Sequence, residues 1–166
     1  MQNPANNFDR IRCEYKTGVD PEVTAPFVHN ATSDEYFDSA FTEEFDLIFI
    51  DGDHTKEQVK RDFENSLRCL SDKGFIVIHD VLPESEQGTL VPRQTKQWWG
   101  DVYKWAMTLR NYLGIRFVTF NIDNGCMLIW KDESAEPYTN YVGPCDWQVY
   151  QTIGKVLLNV TDAVEI

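Results

Sequence analysis

The chain has 166 residues, of which 42% are hydrophobic and 13% aromatic, enough apolar material for one compact domain. Its 15 Lys and Arg against 27 Asp and Glu give a net charge of -12, which disfavours binding to nucleic acid and to anionic membrane surfaces. No apolar run approaches the roughly 18 residues of a membrane helix. We therefore expect one cytoplasmic domain over residues 1–166, with residues 132–166 as an extension of its core; a homo-oligomer stays open.

The first third of the chain predicts two short strands and a helix. Residues 13–19 and 26–30 have strand character, and Thr32 or Ser33 can cap the helix that follows. An acidic residue follows each strand: Asp20 and Asp34.

Residues 45–81 carry the clearest pattern, a strand, a helix and a second strand. Residues 47–50 and 75–78 are unbroken apolar runs of four, typical of buried parallel strands covered by helices on both faces. Thr55 can cap the helix between them, with Gln58 as its capping-box partner. Units of this kind cross over right-handedly in nearly all cases, so the two strands are predicted to be parallel neighbours.

Acidic and histidine side chains follow both of these strands. The carboxyl ends of parallel strands meet at one edge of the sheet, and ligands bind at that edge in open α/β sheets. Five groups that can bind a ligand or carry a proton collect there: Asp51, Asp53, His54, His79 and Asp80. This edge is the predicted functional site.

The rest of the chain predicts a long helix, a hairpin and a last helix. An initial proline, apolar residues at helical spacing and a following Gly114 indicate a helix over residues 92–113. Residues 115–122 and 125–131 are β-rich and flank a short polar turn, which favours an antiparallel hairpin. Residues 146–159 again have helical spacing. The predicted fold is therefore α/β, a mostly parallel sheet that ends in an antiparallel strand, with helices on both faces.

The four cysteines are scattered along the chain and form no CxxC pair. They are Cys13, Cys69, Cys126 and Cys145. Such spacing favours reduced thiols packed in the core over disulfides or a zinc site.

Several segments resemble the successive motifs of class I S-adenosylmethionine-dependent methyltransferases. They are residues 18–21, 32–37, 45–54, 79–81 and 99–104. The Asp-Gly-Asp-His sequence of residues 51–54 is similar to the subgroup called methyltransferase family 24. The resemblance covers about residues 2–131, and the combination of motifs is more specific than any one of them. It implies a Rossmann-like sheet whose last strand is antiparallel, and S-adenosylmethionine as the cofactor.

One part of that family's pattern is missing. Such methyltransferases begin with a strand and a glycine-bearing loop that lets the backbone approach the cofactor, and residues 1–4 resemble the second half of that loop. The resemblance therefore implies an N-terminally truncated fold, in which two ladders of backbone groups would be unpaired unless something else fills the position of the missing strand. We expect this chain to bind S-adenosylmethionine weakly or not at all, and an upstream extension that restores the strand and loop to restore binding.

The resemblance also implies which residues contact the cofactor. Asp20 would accept hydrogen bonds from the ribose hydroxyls, and Ser33 and Asp34 would contact the adenine, with Asp51 at the same edge. Each has a structural alternative, because Asp20 also suits a turn before proline and the other two suit a helix start.

The implied metal site and catalytic groups come from the two central strands. Asp51, His79 and Asp80 would bind a divalent cation such as Mg²⁺ or Mn²⁺, since hard oxygen ligands with one imidazole suit these ions. Asp51 and His54 would be catalytic, with His54 as the base that takes the proton of a substrate hydroxyl. A structural histidine at a helix start is the alternative for His54.

These roles add up to methyl transfer to the hydroxyl of a sugar, a polysaccharide or another small acceptor. Two alternatives stay open. A non-catalytic binding or assembly domain could keep the fold and lose the cofactor, and a metal-dependent hydrolase could use the same cluster on water. A nicotinamide-dependent dehydrogenase is disfavoured because no GxGxxG motif follows a strand.

Overall fold

The computed structural model describes residues 8–39, 43–139 and 141–162, and the chain divides into two compact units, Met1–Glu43 and Glu44–Ile166. In the first unit, β1 (Gly18–Val19) pairs in parallel with β2 (Val28–His29), and α1 spans Ser33–Ser39. Both predicted strands are present, but each is only two residues long.

Thr32 is the residue that caps α1. Its hydroxyl accepts a hydrogen bond from the backbone N–H of Glu35 at 3.2 Å, and the Glu35 carboxylate accepts one from the backbone N–H of Thr32 at 2.9 Å. This reciprocal pair is a capping box, which satisfies two N–H groups that the helix leaves without partners.

The second unit is built on one five-stranded sheet. Its elements in chain order are β3 (Phe45–Ile50), α2 (Lys56–Cys69), β4 (Leu70–Ile78), α3 (Val102–Ala106), β5 (Ile115–Phe120), β6 (Cys126–Lys131), α4 (Trp147–Leu157) and β7 (Val160–Thr161). The strand order is β3-β4-β6-β5-β7, with β3 and β4 parallel, β5 and β7 parallel, and β6 antiparallel to both of its neighbours. The predicted α/β fold with an antiparallel strand is confirmed.

The central strand, helix, strand unit is formed as predicted. Leu47 lies opposite Phe75 in the parallel pair. The Thr55 hydroxyl accepts from the backbone N–H of Gln58 at 3.3 Å and so caps α2. The helix passes into β4 at Leu70, several residues before the strand predicted to begin at residue 75.

The hairpin between β5 and β6 is also confirmed, although β6 does not lie at the end of the sheet. Asp123, Asn124 and Gly125 have φ values of 43°, 63° and 92° and reverse the chain. β6 then pairs with β4 on its other side, and β7 extends the sheet beyond β5. Sequence patterning predicted the turn but could not show which strand the returning chain would join.

The long helix predicted over residues 92–113 is wrong in its first half. α3 begins at Val102 and is followed by a 3₁₀ turn over Met107–Asn111. The chain before it is a loop, in which the Arg93 side chain donates to the carbonyls of Thr95 and Lys96. Those side-chain hydrogen bonds stabilise a non-helical backbone, which the apolar spacing did not reveal.

One face of the sheet carries the core. Side chains that are essentially inaccessible to solvent come from α2, α3, the 3₁₀ turn and the sheet: Phe63, Ile76, Ile78, Ala106, Leu109, Phe117, Met127 and Ile129. The last helix is anchored by Asp146, whose carboxylate accepts from the backbone N–H of Val149 at 2.9 Å. Among the described residues, no helix is long and apolar enough to cross a membrane.

The expectation that residues 47–50 and 75–78 are covered on both faces is wrong. β3 is the edge strand of the five-stranded sheet, and Leu47 and Phe49 are 60% and 56% exposed. Their neighbour Phe75 on β4 is also exposed. Because side chains alternate between the two faces of a strand, burial of Ile76 and Ile78 leaves these residues on the other face.

Candidate functional site

The predicted edge of the sheet brings four side chains together. Asp51 follows β3, His54 lies in the turn before α2, and His79 and Asp80 follow β4. Since β3 and β4 are adjacent and parallel, their carboxyl ends lie side by side. Asp53 is exposed, and its carboxylate accepts a hydrogen bond from the Thr55 hydroxyl at 3.1 Å. This contact stabilises the turn before α2.

Asp51 is the centre of this cluster. Its Oδ1 atom lies 3.1 Å from Nδ1 of His79 and 3.5 Å from Nε2 of His54. Asp80, which is 6% exposed and has a φ of 60°, places its carboxylate 3.3 Å from Nδ1 of His54 and 3.5 Å from Nδ1 of His79. Two carboxylates therefore share two imidazoles.

His54 is held by residues from the loop before α3. Its Nδ1 atom lies 3.2 Å from the backbone carbonyl of Trp98, and its ring stacks on the Trp98 indole with centroids 5.2 Å apart and an interplanar angle of 14°. The His54 carbonyl accepts from the backbone N–H of Asp101 at 3.1 Å. With Nδ1 donating to a carbonyl, Nε2 is the atom that carries the lone pair when the ring is neutral.

The same loop supports the start of α2. The Asp101 carboxylate accepts from the backbone N–H of Lys56 at 2.8 Å. Gly100 has a φ of 61°, and a Cβ atom there would collide with the His54 carbonyl oxygen. Only glycine fits this close approach of two backbones.

His79 receives a further contact from the β5–β6 turn. Its Nε2 atom is buried and makes no hydrogen bond to the described residues, but it lies 3.4 Å from Oδ2 of Asp123. Sequence reasoning missed Asp123 because nothing local shows that β6 returns beside β4. It also missed the contacts of Trp98 and Asp101, because both residues were assigned to the long helix predicted over residues 92–113.

Charge pairing shifts the pKa values of the cluster. The Asp51 and Asp80 carboxylates raise the pKa of His79 to about 11, in spite of its burial. Burial alone would lower the pKa of His54, but the hydrogen bond to Asp51 and the charge of Asp80 raise it. Burial would raise the pKa of Asp51, yet hydrogen bonds from His54 and His79 hold it well below its usual range. The cluster is thus arranged as an ion-pair network.

Three of these groups could hold a metal ion. Ligand atoms of Asp51, His54 and Asp80 all lie within 4.8 Å of one another. Two carboxylate oxygens and one imidazole nitrogen suit Mg²⁺, Mn²⁺ or a related divalent cation, so the donor set fits the predicted ion. The predicted set contained His79 in place of His54, and His79 also contacts both carboxylates.

The residues expected to contact a cofactor lie in the first unit, with the exception of Asp51. Asp20 is buried, and its carboxylate accepts from the backbone N–H groups of Glu22 at 2.8 Å and Val23 at 3.1 Å. Burial would raise its pKa, but hydrogen bonds of this kind lower it. Ser33 and Asp34 form the first turn of α1. Asp20 therefore stabilises a turn, and Ser33 and Asp34 lie at a helix start, as their structural alternatives predicted.

A family model matches the first part of the chain. Residues 6–81, somewhat less than half of the 166, match a family model described as a methyltransferase domain. The resemblance to methyltransferases, predicted over about residues 2–131, is confirmed over residues 6–81. The matched residues end at Val81 and include Asp20, Asp51, His54, His79 and Asp80.

Similar solved structures cover only part of the chain. They are the SAH-bound methyltransferase PaMTH1 of Podospora anserina, with 18% identity and a TM-score of 0.49; a proposed caffeoyl-CoA O-methyltransferase of Staphylococcus aureus, with 21% and 0.49; and a proposed O-methyltransferase of Klebsiella pneumoniae, with 18% and 0.48. Each match covers 63% of this chain and 48%, 51% and 49% of the respective structure. The chain thus spans about half the length of these proteins.

Proposed function

We propose that this chain carries the catalytic edge of an S-adenosylmethionine-dependent methyltransferase that acts on a hydroxyl group of a sugar or another small molecule. The observation that carries the proposal is the convergence of Asp51, His54 and Asp80 at the carboxyl ends of β3 and β4. It occurs within the stretch that matches the methyltransferase domain. The match supports the methyltransferase class, and the site chemistry supports a hydroxyl acceptor.

A divalent cation at this site would lower the pKa of a bound hydroxyl and fix its direction. Asp51 and Asp80 would supply oxygen ligands, and a histidine would supply a nitrogen. His79 is the predicted third ligand, but its Nδ1 lies at hydrogen-bond distance from Asp51 and its pKa is strongly raised. A proton must leave His79 before it can bind a cation, so cation binding through His79 should release a proton.

His54 is suited to take the proton of the acceptor. Its Nδ1 faces the Trp98 carbonyl, which leaves Nε2 to accept. A cation beside it would oppose the raised pKa by charge repulsion and so favour the neutral base. If His54 is instead the third ligand, it cannot also be the base. The two arrangements therefore predict different effects of His79→Gln on cation affinity.

The cofactor would supply an electrophilic methyl group, and no covalent attachment to the protein is needed. We propose that Asp20, Ser33 and Asp34, which all lie in the first unit, bind it. Asp20 suits a ribose diol because a carboxylate accepts two hydrogen bonds.

A second candidate function is a methyltransferase-like binding module without activity. The exposed face of β3 favours it, because Leu47 and Phe49 are exposed on a face that a second layer of helices would cover. Calorimetric titration with S-adenosylmethionine tests the module. Binding that weakens in an Asp20→Asn variant contradicts it and supports the methyltransferase, whereas weak or absent binding is expected of this chain under both functions.

Cation binding is tested by titrating Mn²⁺ into wild-type protein and three variants. Asp80→Asn keeps a side chain that tolerates positive φ, and it should weaken binding by about tenfold or more. Asp53→Asn is the matched control, since Asp53 is a neighbouring exposed carboxylate outside the ligand set. Unchanged affinity in Asp80→Asn would remove the cation from the proposal. His79→Gln should weaken binding if His79 is the third ligand, and proton release measured in two buffers should disappear with it.

A further inference from the structure

Arg110 is a buried cation without an anionic partner among the described residues. It lies in the 3₁₀ turn after α3, is 1% exposed and is the largest fully buried side chain. No carboxylate of the described residues forms an ion pair with it, and its Nε atom has no hydrogen-bond partner there. Buried charges are normally paired, because an unpaired one costs several kcal/mol.

The guanidinium makes its hydrogen-bond and ring contacts with neutral groups of the described residues. Its Nη2 donates to the Tyr141 carbonyl at 3.3 Å, and its carbon lies 4.7 Å from the centre of the Tyr141 ring. Its Nη1 lies 3.5 Å from the sulfur of Cys145. A carbonyl, an aromatic face and a thiol each offer weak compensation, so a negative charge at any of these positions would be stabilised.

Cys145 is the one of these neighbours whose side chain is readily oxidised. It is partly buried and immediately precedes Asp146, the N-cap of α4. Reactive cysteines lie in partly exposed, electropositive surroundings, whereas inert ones are buried among apolar groups. Cys69 is of the second kind, because it is buried and donates to helix carbonyls.

We infer that Cys145 is a site of reversible oxidation, with Arg110 as the group that stabilises the oxidised sulfur. The oxidant is a hydroperoxide. The sulfur attacks one peroxide oxygen, and a sulfur–oxygen bond forms as the oxygen–oxygen bond breaks. The departing hydroxide or alkoxide takes up the thiol proton and leaves as water or alcohol. Sulfur is oxidised by two electrons to a sulfenic acid, the peroxide is reduced by two, and a thiol reductant reverses the change.

The chain contains its own controls. Cys126 belongs to the same partly buried class as Cys145. Burial raises its pKa against the opposing charge of His79, and nearby acidic residues raise it further. Cys13 is exposed, and its thiol donates to the Tyr15 carbonyl at 3.2 Å. Exposure alone would make Cys13 the first to react, whereas the guanidinium makes Cys145 the first.

The test treats the whole chain with limiting hydrogen peroxide, traps sulfenic acid with a dimedone probe and quantifies each cysteine peptide by mass spectrometry. We expect Cys145 to be labelled at least about tenfold faster than Cys126 and faster than Cys13. A Cys145→Ser variant confirms which peptide carries the label. Equal labelling of Cys145 and Cys126 would overturn the inference.

Arg110 is tested by two substitutions of similar length. Arg110→Met removes the charge and should slow labelling of Cys145 about tenfold, while Arg110→Lys keeps a charge and should restore part of the rate. Circular dichroism checks that each variant is folded. An unchanged rate in a folded Arg110→Met protein would show that the guanidinium plays no part. If that variant does not fold, the Arg110→Lys rate and the wild-type ranking of the cysteines decide.

Discussion

Two phenylalanines on the same five-stranded sheet have opposite surroundings. Phe117 on β5 is 1% exposed and packs in the core, whereas Phe49 on β3 is 56% exposed. Both lie in strands rich in β-branched and aromatic residues, so their local sequences predict burial equally well. The difference arises from the face of the sheet: Phe117 lies opposite Ile129 on the buried face, whereas Phe49 lies beside Val77 on the other face. Burial is therefore a property of position in the sheet, and the sequence of one strand does not determine it.

The largest expected effect compares these two residues directly. Phe117→Ala should lower the free energy of unfolding by about 3–5 kcal/mol, because it removes buried surface and leaves a cavity. Phe49→Ala should cost less than about 1 kcal/mol, since much of its side chain already contacts water. Urea denaturation of both variants measures the difference. Similar losses of stability would mean that the Phe49 side chain is buried in solution, and the contrast between the two residues would be wrong.

A second expected effect is a pH dependence of the free energy of unfolding, caused by the ion pair of His79 with Asp51. The pKa of His79 is about 11 in the folded chain against an ordinary value of 6.5. Between those values the folded state keeps a proton that the unfolded state has lost, so the free energy of unfolding falls as pH rises through this window. Asp51→Asn removes the main cause of the shift and should flatten the decline.

The measurement is urea denaturation at several pH values within that window. Asp53→Asn is again the control, because Asp53 makes no contact with His79 among the described residues. The depressed pKa of Asp51 affects stability only on the acidic side, below its ordinary value of 3.8. If wild-type and Asp51→Asn proteins lose stability in parallel, the ion pair does not form.

A smaller effect is expected at the start of α2, the helix that covers the buried face. Asp101→Ala and Thr55→Ala each remove one acceptor for a backbone N–H and should cost about 0.5–2 kcal/mol. Asp101 is 7% exposed and its hydrogen bond is the shorter one, so its loss should be the greater. Thermal unfolding ranks the two, and the reverse order would indicate that the loop before α3 is not seated on the helix.

The smallest effect on stability is expected on the open face of β3. Leu47→Thr should change the free energy of unfolding by no more than about 0.5 kcal/mol, because Leu47 is 60% exposed and Thr suits a strand. It should nevertheless reduce concentration-dependent association, since it breaks an exposed apolar patch at a sheet edge. Sedimentation velocity at several concentrations detects this, with Thr119→Ser, a buried position, as a contrasting variant that should leave association unchanged.

What the sequence could predict was local order and its direct consequences. Apolar runs, a helix cap and a polar turn predicted β3, α2, β4 and the hairpin, and parallel pairing alone then placed Asp51 beside His79. The contacts from Trp98, Asp101 and Asp123 could not be predicted, because they depend on a loop path and on a strand insertion. The spacing of apolar residues predicts neither the path of a loop nor the position of a strand in the sheet.

The close approach of Gly100 to the His54 carbonyl has a consequence for how this chain can vary. The Asp-Gly-Asp-His turn and the Trp-Trp-Gly-Asp segment are distant in sequence but contact each other directly through their backbones. An insertion or deletion in the loop between Asp80 and Trp98 is tolerable only if Gly100 still arrives against His54. Length variation should therefore be absorbed before Trp98, and a larger residue at Gly100 should displace the imidazole itself.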